Sequence, residues 1–295
     1  MYLDTCQRLQ FPTEVVLRVE QMQALLKSSD KATDLLQQAC ADFYTPEGSR
    51  YEALIAALAQ ELNIHIYEAA LLLLLEATES LPDVYRKNGL PEELMWETLV
   101  DITCKIRECH QWYGIWGICN ITWFPWFYAC KRFKLGRLEY EVISYACTEL
   151  EGVLHKGDKV LNIHIPSEGP MKPEAVLESM RRAYQFYRKE FDSPVIPIIG
   201  YSWLLYPRMY HEVFQPQSNL SAFYELFHIW DAVEDPTNGP FSRVFDCEYS
   251  PEVLDTVPAD TSLRRNLLAY LRAGNCMGHA RGVLFFDGEN ILPAK

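Results

Sequence analysis

A chain of 295 residues has room for one large domain or two of ordinary size, and with 49% hydrophobic and 23% charged residues it holds enough apolar material for a packed core. Its 27 basic against 40 acidic side chains leave a net charge of −13, which repels polyanions and removes the attraction that nucleic-acid binding depends on. The nine cysteines are odd in number and contain no C-x-x-C pair, so the expectation is reduced thiols in a cytoplasmic protein, with neither a disulfide framework nor a bound metal.

The first residues, to Glu14, show no basic region followed by an apolar run. From Pro12, the apolar residues Val15, Val19, Met22 and Leu26 recur at helical spacing, and Ala32, Leu35, Leu36 and Ala39 repeat the pattern over Asp30 to Phe43. A break is expected at Thr45-Pro46-Glu47-Gly48, followed by helices over Tyr51 to Leu62 and Ile64 to Thr78, the latter closed by Leu81-Pro82. The run Ala69 to Leu75 is wholly apolar but far shorter than the roughly 20 residues that span a bilayer, and reads as a buried turn of helix. Another stripe, through Met95, Leu99, Ile102, Ile106 and Cys109, makes the clearest helix of the chain. The uncharged stretch Tyr113 to Cys130 is interrupted by Gly114, Gly117, Asn120, Thr122 and Pro125, and no membrane partner is expected.

Beyond Lys131 the hydrophobic period changes to two. Leu138, Tyr140 and Val142 alternate with Arg137, Glu139 and Glu141, and Leu161, Ile163 and Ile165 with Asn162 and His164, which predicts an antiparallel strand pair. A loop from Pro166 to Lys172 leads into a helix that starts near Pro173, and a buried strand follows over Val195 to Tyr201. Short helices after Tyr206-Pro207, after Ser218 and after Thr261 alternate with strands at His228 to Val233 and Val283 to Phe286. The fold class is therefore α+β, with an all-helical domain over residues 1–132 and a mixed-sheet α/β domain over 133–295.

Four segments carry a resemblance: Gly136-Arg137-Leu138-Glu139-Tyr140-Glu141, Asn162-Ile163-His164-Ile165-Pro166, Ser202-Trp203-Leu204-Leu205-Tyr206-Pro207 and Ser218-Asn219-Leu220. Together they resemble the bacterial acyltransferase-domain proteins that join a helical N-acyltransferase-type N-terminal domain to a GNAT-like C-terminal domain. The resemblance implies transfer of an acyl group from acyl-CoA, as co-substrate, to an amine. It also implies that Ser167, Gly169 and Lys172, in the loop before a helix N-terminus, take the CoA phosphates. That loop departs from the usual Q/R-x-x-G-x-G/A signature, having one glycine, two prolines and the acidic Glu168. The rival expectation is a non-catalytic ligand-binding or scaffolding protein that keeps the fold.

His164 projects from the polar side of its strand and suits general-base work, since imidazole titrates near neutrality; a hydrogen-bonded structural histidine is the alternative. Ser202, Tyr206 and Tyr210 lie where a donor to the leaving thiolate is needed, although serine and tyrosine at a strand end also cap and pack. Asn162 and Trp203 complete the set as substrate-binding candidates. The partner expected is a small molecule, and the oligomeric state is not legible.

Overall fold

The computed structural model describes residues 2–44 and 50–293, and the chain divides into two units, Met1–Lys134 and Leu135–Lys295. The break expected at Thr45 to Gly48 lies outside the described residues. In the first unit the helical periodicities become α1 (Leu3–Arg8), α2 (Thr13–Lys27), α3 (Asp30–Phe43), α4 (Tyr51–Leu62), α5 (Ile66–Lys87), α6 (Glu92–Tyr113) and the single turn α7 (Pro125–Tyr128). α3 starts where Ser29 Oγ accepts from Ala32 N (3.2 Å). α5 starts in a reciprocal cap, with His65 Nδ1 accepting from Tyr67 N (3.2 Å) and Glu68 from His65 N (2.9 Å). Glu68 also holds Arg18 through both carboxylate oxygens, at 2.5 and 2.9 Å.

Helix α5 corrects one expectation, because it runs through Pro82 to Lys87 instead of closing there. Proline removes a single N–H from the ladder, and Leu81 and Tyr85, both buried on either side of it, hold the extra turns by packing. The apolar run Ala69 to Leu75 is buried throughout, as a core helix requires. Among the described residues no single helix is long and apolar enough to cross a membrane; α4 and α5 pass such a test only jointly, and they are bent by 113°.

Two contacts in this unit yield expected results. Ile118 N donates to Tyr67 O (2.9 Å), which brings the chain so close that a Cβ on Gly117 would lie 2.5 Å from the Tyr67 carbonyl carbon and oxygen. Gly117→Ala should therefore cost about 3 kcal/mol of stability in urea denaturation, because backbone has to move to relieve the clash; a change below about 0.5 kcal/mol would disprove the contact. The second is the pair Cys109 and Cys119. The Cys109 thiol donates to Cys119, which draws the Cys119 pKa down to about 7, while the same bond and burial push Cys109 up. Iodoacetamide should label Cys119 before the other cysteines, its rate rising with pH to half-maximum near pH 7. Uniform labelling across the cysteines would contradict this.

The second unit is built on a seven-stranded sheet. Its first strand, β1 (Arg132–Leu135), contains the division between the units. The others are β2 (Leu138–Ser144), β3 (Lys159–His164), β4 (Ile196–Ser202), β5 (His228–Glu234), β6 (Gly278–Phe286) and β7 (Ile291–Leu292), in the spatial order β2-β3-β4-β6-β5 with β7 on β6. Between them lie α8 (Pro173–Tyr187), α9 (Asn219–Tyr224), α10 (Ser242–Phe245) and α11 (Ser262–Arg272). β2 and β3 pair antiparallel as expected, β3 and β4 run parallel across the α8 crossover, and β6 is antiparallel to β4, β5 and β7. The β5–β6 register shifts between Trp230 and Val233, where Asp231 takes a positive φ of 52°.

Helix α8 is tied to the turn before β2 by one side chain. Ser179 Oγ donates to Leu135 O (2.6 Å), accepts from Leu138 N (3.0 Å) and lies 3.0 Å from the Tyr140 hydroxyl, all in a buried setting. Gly136, at φ +82°, makes the turn between them.

Candidate active site

Register decides which side chains share a face of the sheet. β2 and β3 align Glu139 with His164 and Glu141 with Asn162, so these four project together. His164 Nε2 lies 2.7 Å from Glu141 Oε1, to which Asn162 Nδ2 also donates (3.1 Å), and Asn162 Nδ2 lies 3.2 Å from His164 Nε2. Glu139 is fully buried beside them. Tyr145, Leu154, Val160, Ile199 and Val283 form an apolar cluster around the start of β3, so the polar group occupies the strand's C-terminal end.

The parallel register matches Leu161 with Ile198 and Asn162 with Ile199, and stops there. Beyond it the two strand ends, with His164 on one and Ser202 on the other, form a wedge that no ladder closes. Alternation along β4 places Tyr201 on the His164 face and Ser202 on the opposite one. Tyr201 is half exposed and stacks on His279 at 5.3 Å between centroids, with the Arg281 guanidinium 4.5 Å over its ring and 2.9 Å from Asp231. Burial lowers the His279 pKa, which favours a neutral ring.

The loop after β3 runs along the guanidinium of Arg137. Nη1 donates to Pro166 O (3.2 Å), Nη2 to Gly169 O (3.0 Å) and Nε to Pro170 O (3.3 Å). Ser167, Gly169 and Lys172 are exposed, while Pro166 and Met171 are buried. Lys172 is the N-cap of α8 and Pro173 its first residue, so the loop ends at the N-terminus of a 15-residue helix.

The remaining candidates are engaged in other contacts. Ser202 Oγ accepts from Leu204 N (3.1 Å) and caps a short turn, and Trp203 meets Phe214 edge-on at 6.1 Å. Tyr206 is buried, which raises its phenol pKa, and its ring packs where a Cβ on Gly278 would fall 2.8 Å away. Tyr210 sits in a π-helical turn, Met209–Val213. It stacks on Tyr224 at 4.2 Å and donates to Glu225 Oε1 (2.7 Å), a bond that raises its pKa. The structure thus joins His164 to Asn162 and adds Glu141, whereas Ser202, Trp203, Tyr206 and Tyr210 follow the β4 exit. Sequence reasoning missed Glu139, Glu141, Tyr201, His279 and Arg281. The available signal was that Glu139 and Glu141 alternate in phase, as Asn162 and His164 do, on strands already read as a pair.

A cavity of about 280 Å³ opens at the other end of β3, lined by Asp158, Lys159, Glu190, Phe191, Pro197 and Phe285. It lies away from the loop and His164, and the arrangement of an imidazole, a carboxylate and a helix N-terminus makes the wedge the better candidate. In the first unit, Trp123 Nε1 donates to the buried Asp101 (2.8 Å), and Lys105 Nζ to Glu108 at 3.1 and 3.2 Å. Among the described residues no group of three His, Cys, Asp or Glu side chains is placed to hold a metal ion.

Residues 133–284 match the family model described as a GNAT-like C-terminal domain, and residues 2–130 that of an N-acyltransferase N-terminal domain. No curated protein matches the chain. Among solved structures, an acyltransferase in complex with decanoyl-CoA is similar with a TM-score of 0.72 at 21% identity, over 95% of this chain and 86% of that one. An acyltransferase in complex with decanoyl-CoA and teicoplanin gives 0.70 at 22% identity, over 98% and 87%. A mutant acyltransferase in complex with octanoyl-CoA gives 0.69 at 22%, over 95% and 86%. At these identities the likeness is one of fold.

Proposed function

Because the chain belongs to the family of the GNAT-like C-terminal domain, we propose that it is an N-acyltransferase that moves an acyl group from acyl-CoA to an amine. The observation that carries this reading is the His164–Glu141 hydrogen bond (2.7 Å) at the open end of the β3–β4 wedge, next to a loop that feeds a helix N-terminus. In this reading the acyl-CoA phosphates meet the Ser167 and Met171 amides of the loop and the Lys172 ammonium, where helix N-termini favour anions. The thioester then lies in the wedge, with Asn162 and Trp203 beside the acyl group and acceptor.

The chemistry follows from that placement. The amine attacks the thioester carbonyl, a C–N bond forms, and the C–S bond breaks as the tetrahedral intermediate collapses. His164 takes the proton the amine loses. With Nε2 donating to the Glu141 carboxylate, Nδ1 is the basic nitrogen, and Glu141 stabilises the imidazolium that forms. The thiolate of CoA takes a proton from the hydroxyl set at the β4 exit, Ser202, Tyr206 and Tyr210; burial keeps the Tyr206 phenol protonated until that step. The nine cysteines and absent C-x-x-C pair fit a reducing cytoplasm.

The octanoyl- and decanoyl-CoA bound by the similar acyltransferases guide the test. Thermal shift with CoA and with acetyl-, octanoyl- and decanoyl-CoA should show stabilisation, about 2.7 kcal/mol for a ligand at 100 times its Kd. Mass spectrometry of a primary-amine panel with the best donor should then show amide and free CoA in equal amounts. Stabilisation with no amide formed on any amine would favour a binding protein; no stabilisation by any CoA species would reject the reading.

A further inference from the structure

The Pro166 to Lys172 loop has a single glycine and two prolines, Pro166 and Pro170, so its own backbone has little freedom to gather amides around an anion. One bond of its own, from Glu168 N to Pro166 O (2.8 Å), and an outside group shape it. All three Arg137 guanidinium nitrogens donate to loop carbonyls, those of Pro166, Gly169 and Pro170, at 3.2, 3.0 and 3.3 Å. No peptide bond here is cis, and in a trans peptide the N–H points away from the C=O. Turning the Pro166 and Pro170 carbonyls onto Arg137 therefore turns the N–H groups of Ser167 and Met171 to the opposite side. The Gly169 carbonyl precedes Pro170, which has no N–H to turn.

Arg137 is itself fixed from the same helix that the loop enters. Ser179 of α8 bonds both Leu135 O (2.6 Å) and Leu138 N (3.0 Å), the residues on either side of Gly136-Arg137. Turn, loop and α8 thus make a closed ring of hydrogen bonds, in which the backbone that carries Arg137 is fixed to the helix the loop enters.

We propose that Arg137 is the positioning residue of the phosphate loop, holding its carbonyls back so that the Ser167 and Met171 amides, and not the acceptor oxygens, face the pyrophosphate of the acyl donor. The proposal rests on the acyl-CoA reading above. It assigns Arg137 no contact with the reacting atoms and gives it the role that glycines play in a conventional loop. The guanidinium spreads its donors over three coplanar nitrogens, whereas an ammonium offers its three from a single point, so lysine does not reach the same three carbonyls together.

The test compares two donors of one acyl chain, decanoyl-CoA and decanoyl-pantetheine, which lacks the adenosine and all three phosphates of CoA. Wild type, Arg137→Lys and Arg137→Ala are assayed with each, and CoA binding is measured by calorimetry. Both variants should raise the KM for decanoyl-CoA at least about tenfold with kcat within about twofold, and leave the KM for decanoyl-pantetheine unchanged. Pantetheine turnover also shows that a variant is folded; if Arg137→Ala does not fold, Arg137→Lys decides. Equal losses with both donors, or CoA bound equally by wild type and variants, would overturn the proposal. Wild type that binds no CoA at all would overturn the acyl-CoA reading first, and the loop's ligand with it.

Discussion

Replacing His164 with alanine is expected to lower kcat/KM by about a hundredfold or more while moving the melting temperature only slightly. A general base contributes roughly 10²- to 10⁴-fold, and the imidazole is placed for the task by its 2.7 Å bond to Glu141 at the mouth of the wedge. The side chain is 21% exposed, and Glu141 keeps the Asn162 amide as a partner when the ring is gone, so the stability cost should stay near 1 kcal/mol. A second variant separates chemistry from packing. His164→Gln retains a donor for Glu141 but offers no base, and should restore the melting temperature without restoring turnover. Recovery of activity in His164→Gln would show that the histidine serves structure alone.

Ser179→Ala should be the most destabilising single change in the sheet unit for its size. The hydroxyl is fully buried and serves Leu135 O, Leu138 N and the Tyr140 hydroxyl at once. Removing it strands a buried N–H and weakens two other groups, and each unsatisfied buried polar group costs about 1–3 kcal/mol. A loss of about 3 kcal/mol in urea denaturation is expected, visible as a fall of roughly 6–12 °C in melting temperature at the usual scaling for chains of this size. The deleted atom leaves almost no cavity, so the loss reports hydrogen bonds and not packing. A cost under about 1 kcal/mol would mean that water or a shifted backbone takes over the three bonds.

Most of the fold was legible because it depends on local periodicity. The switch from helical spacing to alternation beyond Lys131 separates the helical unit from the sheet, and the alternation of Asn162 and His164 against Leu161 and Ile163 gave their shared face correctly. What local pattern misses is set by neighbours distant in sequence. Pro82 reads as a stop, yet buried Leu81 and Tyr85 carry α5 past it. Glu139 and Glu141 read as the wet side of a strand, and only the β2–β3 register, fixed across a connection from Tyr145 to Asp158, brings them to His164 and Asn162. Ser202 and His164 lie at the ends of neighbouring strands, but only the parallel register with β3 shows that Tyr201 is the β4 side chain sharing the His164 face. The grip of Arg137 on three carbonyls leaves no trace in composition or spacing, because its acceptors are main-chain atoms.

The early end of the β3–β4 ladder also bears on which molecules can approach. An unsatisfied strand edge at the rim of a sheet recruits strands from other proteins and is an aggregation hazard. Here the edge is internal: β3 stays bonded to β2 as far as His164, and β4 to β6 as far as Ser202. The opening is bounded by strands on both sides, so its unpaired backbone groups face into the wedge and are not offered at the rim of the sheet. Any guest that pairs with those groups has to bring its own amide donors and acceptors, in the manner of an added strand, and it would do so between two strands that already belong to one sheet.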